Sequence, residues 1–452
     1  MSASRRIGGG MNCRAEFLGC LNYEKVNLLL AAVVAASVSA PALAEYTHNA
    51  HFFGYMRAGV GFDKNGGYNT QGLGGVANKV GRLGSESDAV FGELGLGADV
   101  AKVADTIWTV NMMLGMSAGD ADPGNWSSSY GFRQFNVEVK GLFDWDKDAL
   151  LWMGKRYVQR EDIHITDTYY YDISGTGFGL ENVSLGSGKW SAAYVKRASD
   201  YHVFDTRYSF PLWDGASLQI GETYTLNKKP ADTVSENNYK VDLEKGKFIE
   251  LKDDEKVSKA PDVVNGNTFS LEFTQGFNGG WNKTVYMWMK GASGATTEVG
   301  ASRSNGDANA HKIYNFGETS LGGDFHLFHQ VDYTYQKFDD KDNTKVQEYR
   351  VVLRPWLKLT QMTRAYVELG HYAKSTAQDN KAEHENERMQ KATVAYAITP
   401  DAGNFWSRPE MRFFVTWLHV DGNNKGGNAT FTSGRKTGST DITVGAQVEA
   451  WW

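Results

Sequence analysis

The chain has 452 residues and a formal net charge of −6, with 50 glycines, 13 % aromatic residues, 8 prolines and 2 cysteines. This length allows either several soluble domains or one large barrel, while the acidic balance disfavours a nucleic acid partner, whose phosphates require a basic surface. A helical membrane protein is excluded, because no uncharged apolar run beyond residue 45 approaches the ~20 residues of a spanning helix.

Residues 1–44 have the features of a signal peptide. A basic residue precedes the apolar stretch 27–40, and Ala42-Leu43-Ala44 supplies the small residues that signal peptidase recognises. We therefore predict cleavage before Glu45 and a mature chain of residues 45–452. Two start codons, Met1 and Met11, are compatible with this arrangement. Both cysteines precede the cleavage point, so the mature chain is expected to contain no disulfide.

The first part of the mature chain alternates as a strand does when one of its faces meets lipid. One face carries Phe52, Met56, Ala58 and Val60, and the other carries Tyr55 and Arg57. The same alternation recurs in the segments 90–98, 108–116 and 365–372. Because successive side chains of a strand point to opposite sides, each of these segments has one apolar face and one more polar face.

The C-terminal segment shows the clearest alternation of the chain. Its apolar face consists of Ile442, Val444, Ala446, Val448, Ala450 and Trp452, and its other face of Thr443, Gly445, Gln447, Glu449 and Trp451. The chain also ends on an aromatic residue, as outer-membrane barrels commonly do. Trp452 is therefore predicted to face lipid, whereas Trp451 lies on the polar face, where membrane anchoring does not explain a tryptophan.

These patterns favour a transmembrane β-barrel over a soluble β-sandwich. The alternating segments are about ten residues long, as a tilted spanning strand requires, whereas sandwich strands usually have ~5–6 residues. At about 22 residues per strand and loop, the mature chain predicts close to eighteen strands, within the even-numbered range of such barrels. The long polar stretch 227–267 is predicted to be an external loop, and 421–440 a second one.

Several longer motifs are more specific than the alternation. They are the segment Trp152–Gly175, the following Gly179-Leu-Glu-Asn182, the opening Gly54-Tyr-x-Arg57, Arg82-Leu-Gly84, Trp406-Ser-Arg-Pro409 and the closing Trp451-Trp452. In these motifs and in their order the chain resembles the maltoporin family of sugar porins, over essentially the whole mature length. The resemblance implies an all-β fold: an 18-stranded antiparallel transmembrane barrel in the Gram-negative outer membrane, assembled as a homotrimer, with a constriction loop folded inward.

The resemblance also implies facilitated diffusion of maltose and maltodextrins along a slide of aromatic side chains. The slide would consist of Tyr55, Phe91, Trp126, Trp281, Trp406 and Trp451, with Trp126 reaching in from a neighbouring subunit. The polar track and constriction beside it would consist of Arg57, Arg82, Glu93, Arg133, Arg160, Asp162, Asp167, Tyr169 and Asp172. Phe91 stands where the family often has tyrosine, which keeps the ring but loses a hydroxyl contact.

The chemistry of a glucosyl ring agrees with these two groups of residues. Aromatic faces suit its apolar C–H face, and ionised side chains suit its rim of hydroxyls. The functional alternatives are a general diffusion porin, a porin for another oligosaccharide such as sucrose, and a surface receptor or adhesin. An isolated aromatic side chain in a barrel strand is more often part of the girdle at the lipid interface. We expect no cofactor, no metal site and no enzymatic activity.

Overall fold

The computed structural model describes residues 49–63, 74–85, 90–118, 129–198, 201–229, 262–300, 306–423 and 438–452, together with four short strands between 233 and 258. Eighteen of its strands form one continuous antiparallel sheet, and the first strand pairs with the last, so the sheet closes into a barrel. The predicted fold and strand number are therefore confirmed.

The barrel strands are β1 (Ala50–Asp63), β2 (Val90–Val103), β3 (Thr106–Ala118), β4 (Ser129–Lys140), β5 (Leu150–Arg156), β8 (Gly175–Leu185), β9 (Gly188–Ala198), β10 (Tyr201–Trp213), β11 (Ala216–Asn227), β16 (Gly266–Phe277), β17 (Gly280–Gly291), β18 (Ala308–Gly322), β19 (Phe325–Phe338), β20 (Lys345–Lys358), β21 (Thr363–Ala377), β22 (Glu385–Ile398), β23 (Glu410–Gly422) and β24 (Ser439–Trp451). The remaining strands are β6 (Glu161–Ile163) and β7 (Thr168–Tyr171), which pair with each other, and β12 (Thr233–Val234), β13 (Tyr239–Asp242), β14 (Lys247–Glu250) and β15 (Val257–Ser258). The helices are α1 (Gly74–Val80) and α2 (Ala292–Thr296).

The barrel strands are longer than the sequence pattern predicts. The segments of clear alternation suggest about ten residues, whereas β18 and β21 have 15 and only β5, with 7, is shorter than ten. Hydrogen bonding between strands continues past the apolar belt into the polar ends, where side-chain hydropathy no longer alternates. None of the helices in the described part of the chain is long and apolar enough to cross a membrane.

The predicted division into an outer apolar face and an inner polar face is confirmed at both ends of the chain. Phe52 in β1 and Val444 in β24 are half exposed on the outer surface, at 56 % and 52 %. On the opposite face of β24, Glu449 and Thr443 are fully buried in the interior. The register that closes the barrel pairs Tyr55 with Trp451, so these two inward residues are direct neighbours.

Connections at the two ends of the barrel differ in length. Gly186 and Ser187 alone join β8 to β9, and Asp214 and Gly215 alone join β10 to β11. At the opposite end, the long polar stretch predicted at 227–267 lies between β11 and β16 and carries β12 to β15. Outer-membrane barrels have short periplasmic turns and longer external loops, so the long connections mark the external end.

Residues 157–174, between β5 and β8, form a hairpin inside the barrel, which we call the constriction loop. Its side chains bond to Asp205 on β10, Glu272 on β16 and Gln330 on β19. Its backbone accepts a hydrogen bond from Arg354 on β20. Because these strands occupy widely separated parts of the wall, a loop that reaches all of them must lie in the interior.

A second segment, residues 74–85, packs against the inner wall formed by β20 to β23. Val76 and Val80 of α1 are buried in a cluster with Tyr372 and Met389. The Glu368 carboxylate accepts a hydrogen bond from the backbone N–H of Leu83 at 3.1 Å. This part of the wall is therefore covered from inside.

Candidate functional site

Tyrosine hydroxyls fasten the constriction loop to the wall. The Tyr170 hydroxyl donates to Glu272 Oε2 at 2.7 Å, and the Tyr171 hydroxyl donates to Asp205 Oδ2 at 2.9 Å. Both rings are almost fully buried. Two of the three consecutive tyrosines therefore hold the loop in place, which leaves the third, Tyr169, to face the channel with 39 % of its surface exposed.

Arg160 lies between two tyrosine rings of the loop. Its guanidinium carbon is 4.1 Å from the ring centre of Tyr169 and 4.3 Å from that of Tyr157. The Tyr157 hydroxyl donates to Glu93 Oε1 at 2.5 Å. Burial raises the pKa of both phenols, so they remain neutral donors at physiological pH. The stack is held by cation–π attraction and connects the loop to β2.

Two carboxylates of the loop face the same space as Arg160. Asp167 pairs with Arg57 Nη1 at 3.3 Å and has a left-handed backbone, with φ 52°. Asp162 is exposed to the water inside the barrel, but other protein groups lie around it. The resulting desolvation, together with the negative charge of Asp167, raises the pKa of the Asp162 carboxyl. The narrow part of the channel therefore carries both charge signs within a short distance.

Aromatic rings lie close to one another along one side of the interior. Trp281 lies 5.9 Å from Phe328, Phe328 lies 6.1 Å from Trp406, and Trp406 lies 6.4 Å from Trp451, between ring centres. Trp451 is paired in register with Tyr55, whose ring is 5.9 Å from that of Phe91. Five of the six predicted slide residues thus lie along one curved path.

A cluster of charged and polar side chains supports this path from behind. Arg82 is only 4 % exposed, donates to the Tyr55 hydroxyl at 3.0 Å and pairs with Glu449 at 3.1 Å. The Arg408 guanidinium lies 4.0 Å from the Trp451 ring centre and also donates to Glu449. Glu449 accepts from Tyr55 as well, at 2.9 Å. These contacts fix the orientation of two of the predicted slide rings, Tyr55 and Trp451.

His164 connects the constriction loop to this cluster. Its ring is 5.3 Å from that of Trp406 and 5.6 Å from that of Trp451. Arg408 Nη2 approaches its Nε2 at 3.1 Å. Burial lowers the pKa of His164 well below its usual range, and nearby arginines act in the same direction. The imidazole is therefore neutral and acts as a spacer between the loop and the rings.

The other predicted residues occupy different environments. Glu93 is 7 % exposed and accepts from Tyr157, so it is less open than Arg57. Arg133 lies at an irregularity of the β3–β4 pairing, with its side chain over Gly115. The Asp172 carboxylate accepts from the backbone N–H of Ser174 at 2.8 Å and shapes the end of the loop. Trp126 lies outside the described residues.

Several residues of the site escaped the sequence interpretation. Phe328 and Phe405, whose rings are 4.9 Å apart and fully buried, pack beneath the aromatic path, and Tyr157, His164 and Arg408 support it. Alternation along β19 places Phe328 on the same side as buried Gln330, which is a usable signal. The other four lie in connections, where no periodicity applies. No group of three or more His, Cys, Asp or Glu side chains in the described ranges is arranged to hold a metal ion.

Comparison with known proteins covers the same residues. The family profile described as LamB porin matches residues 50–452. A maltoporin of Vibrio cholerae serotype O1 is 31 % identical over 469 residues, covering 96 % of this chain and all of that protein. A maltoporin of Photobacterium profundum is 32 % identical over 438 residues, covering 90 % and 94 %. The matched region thus includes the whole barrel and both inward segments.

Among solved structures, the outer membrane protein opdK of Pseudomonas aeruginosa matches with a TM-score of 0.47 and 9 % identity, over 89 % of this chain and 99 % of that one. An anion-selective porin from Comamonas acidovorans matches with a TM-score of 0.44 and 13 % identity, over 89 % of this chain and all of that one.

Proposed function

The chain belongs to the LamB porin family and is a sugar porin of the Gram-negative outer membrane, and we propose that it conducts maltose and maltodextrins by facilitated diffusion. Relatives named maltoporin cover nearly its whole length. The proposal extends the activity named for those relatives to this chain, and it assigns the aromatic path as the surface on which the sugar moves.

The observation that carries the proposal is the series of rings from Trp281 through Trp406 to Trp451. A glucosyl unit has an apolar face that stacks on an aromatic ring with little directional preference. The accessible rings of Trp406 and Trp451 lie 6.4 Å apart, so a sugar can reach the second before it leaves the first, and Trp281 and Trp406 both pack on the buried ring of Phe328. A linear α-glucan can therefore slide along the path with no site deep enough to trap it.

The constriction loop serves the polar part of the sugar. Its side chains replace the hydrogen bonds that the sugar hydroxyls lose when they leave water. Arg160, Asp162 and Asp167 present donors and acceptors around Tyr169. Hydrogen bonds to ionised groups are stronger than those between neutral groups, so a few of them offset the desolvation of a passing sugar. Tyr169, exposed between them, is the proposed steric limit of the pore.

Three further features belong to the same proposal. The protein assembles as a homotrimer, and Trp126 contributes to the entrance of a neighbouring channel. Residues 1–44 act as the signal peptide and are removed before Glu45. The sequence motifs and the family membership support these statements.

The test is single-channel conductance of the purified protein in a planar bilayer, titrated with maltohexaose and separately with sucrose. We expect a concentration-dependent, saturating block by maltohexaose. Trp406→Ala removes one stacking surface worth ~0.5–1.5 kcal/mol, so the affinity of the channel for maltohexaose is expected to fall about two- to twelvefold. Trp417→Ala is the matched control, because Trp417 is an equally exposed tryptophan on the lipid-facing side of β23.

Each of the other possible results indicates a different function for this protein. A conductance that neither sugar reduces indicates a general diffusion porin. A stronger block by sucrose than by maltohexaose indicates a porin for another oligosaccharide. Equal loss of affinity in Trp406→Ala and Trp417→Ala would show that the ring series does not bind the sugar.

A further inference from the structure

A row of lysines lies on the outer surface of the barrel, at the external ends of four neighbouring strands. Lys290 on β17 pairs in register with Asn309 on β18, Asn309 with Lys337 on β19, and Lys337 with Lys345 on β20. Their sequence neighbours Met289, Ala310, Gln336 and Val346 are buried toward the interior. The lysines and Asn309 therefore point outward, and we call them the rim row.

The rim row places two like charges next to each other. Lys337 and Lys345 are directly opposite each other, and like charges at such positions destabilise a strand pair. Within the described ranges, no carboxylate forms an ion pair with any of the three lysines. The carboxylate of Glu348 instead pairs with Lys374, on the inner face. An anion outside the protein would relieve the repulsion.

The height of the rim row in the membrane follows from the residues beneath it. The next outward row lies two residues further from the external end of the same strands and consists of Trp288, His311 and Tyr335. One row further, Tyr333 and Tyr349 are both more than 40 % exposed. Aromatic side chains of this kind collect at the membrane–water interface, so the lysines lie at the level of the lipid headgroups.

A polar cavity of about 290 Å³ adjoins the row at Lys345. Its lining includes Gln347 and Ser375, which are paired in register and face outward, and His384 from the loop after β21. Asp379 contributes the one carboxylate of the lining and accepts a hydrogen bond from Asn343 at 2.7 Å. Amide, hydroxyl and imidazole groups around an open space of this size suit the hydroxyls of a sugar ring.

We propose that the rim row and this cavity bind a phosphorylated glycolipid of the outer leaflet. Its phosphates lie on Lys290, Lys337 and Lys345, its sugar enters the cavity, and its acyl chains run down over the aromatic rows. Charge complementarity, the two-row aromatic belt and the polar cavity each match one part of such a lipid. The proposal depends on the outer-membrane location and not on which sugar the channel conducts.

Native mass spectrometry of the full-length protein in detergent provides the test, with bisphosphorylated lipid A as the probe. The expected result is at least tenfold weaker binding to the variant Lys290→Gln/Lys337→Gln/Lys345→Gln. The variant Ser375→Phe, which fills the cavity without changing charge, is expected to weaken binding as well. The control Lys147→Gln/Lys189→Gln removes two exposed lysines at the opposite end of the barrel, one between β4 and β5 and one after the short turn between β8 and β9, and should bind normally.

Unchanged single-channel conductance in salt establishes that each variant forms an intact barrel. Equal binding to the rim variant and the control variant overturns the proposal. So does equal binding of dephosphorylated lipid A, or of phosphatidylglycerol, because the site would then not distinguish a phosphorylated glycolipid. Displacement of the lipid by inorganic phosphate at equal concentration would identify a free-phosphate site instead.

Discussion

Asp162 illustrates how a single carboxyl is tuned by its place in the channel. It lies in the constriction loop, near Asp167 and among other protein groups, although the residue is exposed to the water of the barrel interior. Both conditions disfavour the charged form, which is why its pKa is raised. Such a carboxylate gives up its charge at a higher pH than an ordinary aspartate does.

The corresponding prediction concerns the preference of the pore for cations. As the pH falls from 7, Asp162 becomes neutral before exposed aspartates do, so cation preference should decline in that range. Asp162→Asn should show a lower preference at neutral pH and should lack this step. Reversal potentials in a KCl gradient, recorded between pH 7 and pH 4, measure the effect.

Asp144→Asn provides the control for that titration. Asp144 lies in an exposed turn, where a hydrogen bond from Lys147 lowers its pKa. Its removal should leave the selectivity step of the wild type in place. Identical pH profiles for the wild type and Asp162→Asn would show that Asp162 carries no titrating charge in the conducting path.

For single residues, the sequence predicted which face of a strand an aromatic ring lies on, but not which other rings it contacts. The alternation correctly placed Tyr55 and Trp451 inside, but only the register of β1 with β24 shows that they are adjacent. Arg82 was assigned to the sugar because its motif matches the family, whereas its guanidinium is buried against Tyr55 and Glu449. Whether it also contacts the sugar stays a prediction. A motif identifies which residue is present, but it does not show which neighbouring groups that side chain binds.

Among the elements, the segment 74–85 depends on one close approach. Gly81 has φ +100°, and a Cβ atom added there would lie 2.3 Å from Glu368 Oε1. The same carboxylate pairs with Lys391 at 2.7 Å, and Lys391 also donates to the Gly81 carbonyl. Glycine is therefore required both for the backbone conformation and for the space that the carboxylate occupies.

Gly81→Ala is accordingly expected to detach segment 74–85 from the wall. The strain of a left-handed alanine costs about 1 kcal/mol, and the clash with a buried, paired carboxylate adds to it. Faster amide hydrogen exchange in 74–85, measured by mass spectrometry, reports the detachment. Gly215→Ala is the control, because Gly215 also has a positive φ, +76°, but has no atom within 4 Å of the added Cβ.

Protection of 74–85 in Gly81→Ala equal to that in the wild type would contradict this account. The segment could not have been predicted from the sequence by alternation, because it belongs to neither face of a strand. The same holds for the constriction loop, whose inward position rested on the family resemblance. Both segments are held by side chains far away in the sequence, such as Glu368 and Glu272, and local patterns do not encode such pairs.

For the whole molecule, closure of the barrel joins the two ends of the chain. Gly54 and Trp452 exchange two backbone hydrogen bonds, at 3.1 and 3.2 Å, and the rings of Phe52 and Trp452 lie 5.4 Å apart on the outer surface. The strand number was predictable, because the chain length divided by the residues per strand and loop gives it. The register in which the last strand meets the first was not, since it is a property of the complete closed sheet.

The two C-terminal tryptophans therefore separate stability from transport. Trp452→Ala removes a lipid-side ring that packs on Phe52 at the seam, so it is expected to destabilise the barrel by about 1–3 kcal/mol and to leave sugar block unchanged. Trp451→Ala removes an inward ring between Trp406 and Tyr55, so it should weaken maltohexaose block about two- to twelvefold with a smaller effect on stability.

Thermal unfolding followed by electrophoretic mobility measures the first effect, and conductance titration measures the second. The two residues are adjacent and chemically identical, so each variant is the control for the other. Equal loss of stability and of sugar block in both variants would mean that the seam, and not the ring facing the channel, determines transport. A clean separation would tie the aromatic path to function through the alternation of a single strand.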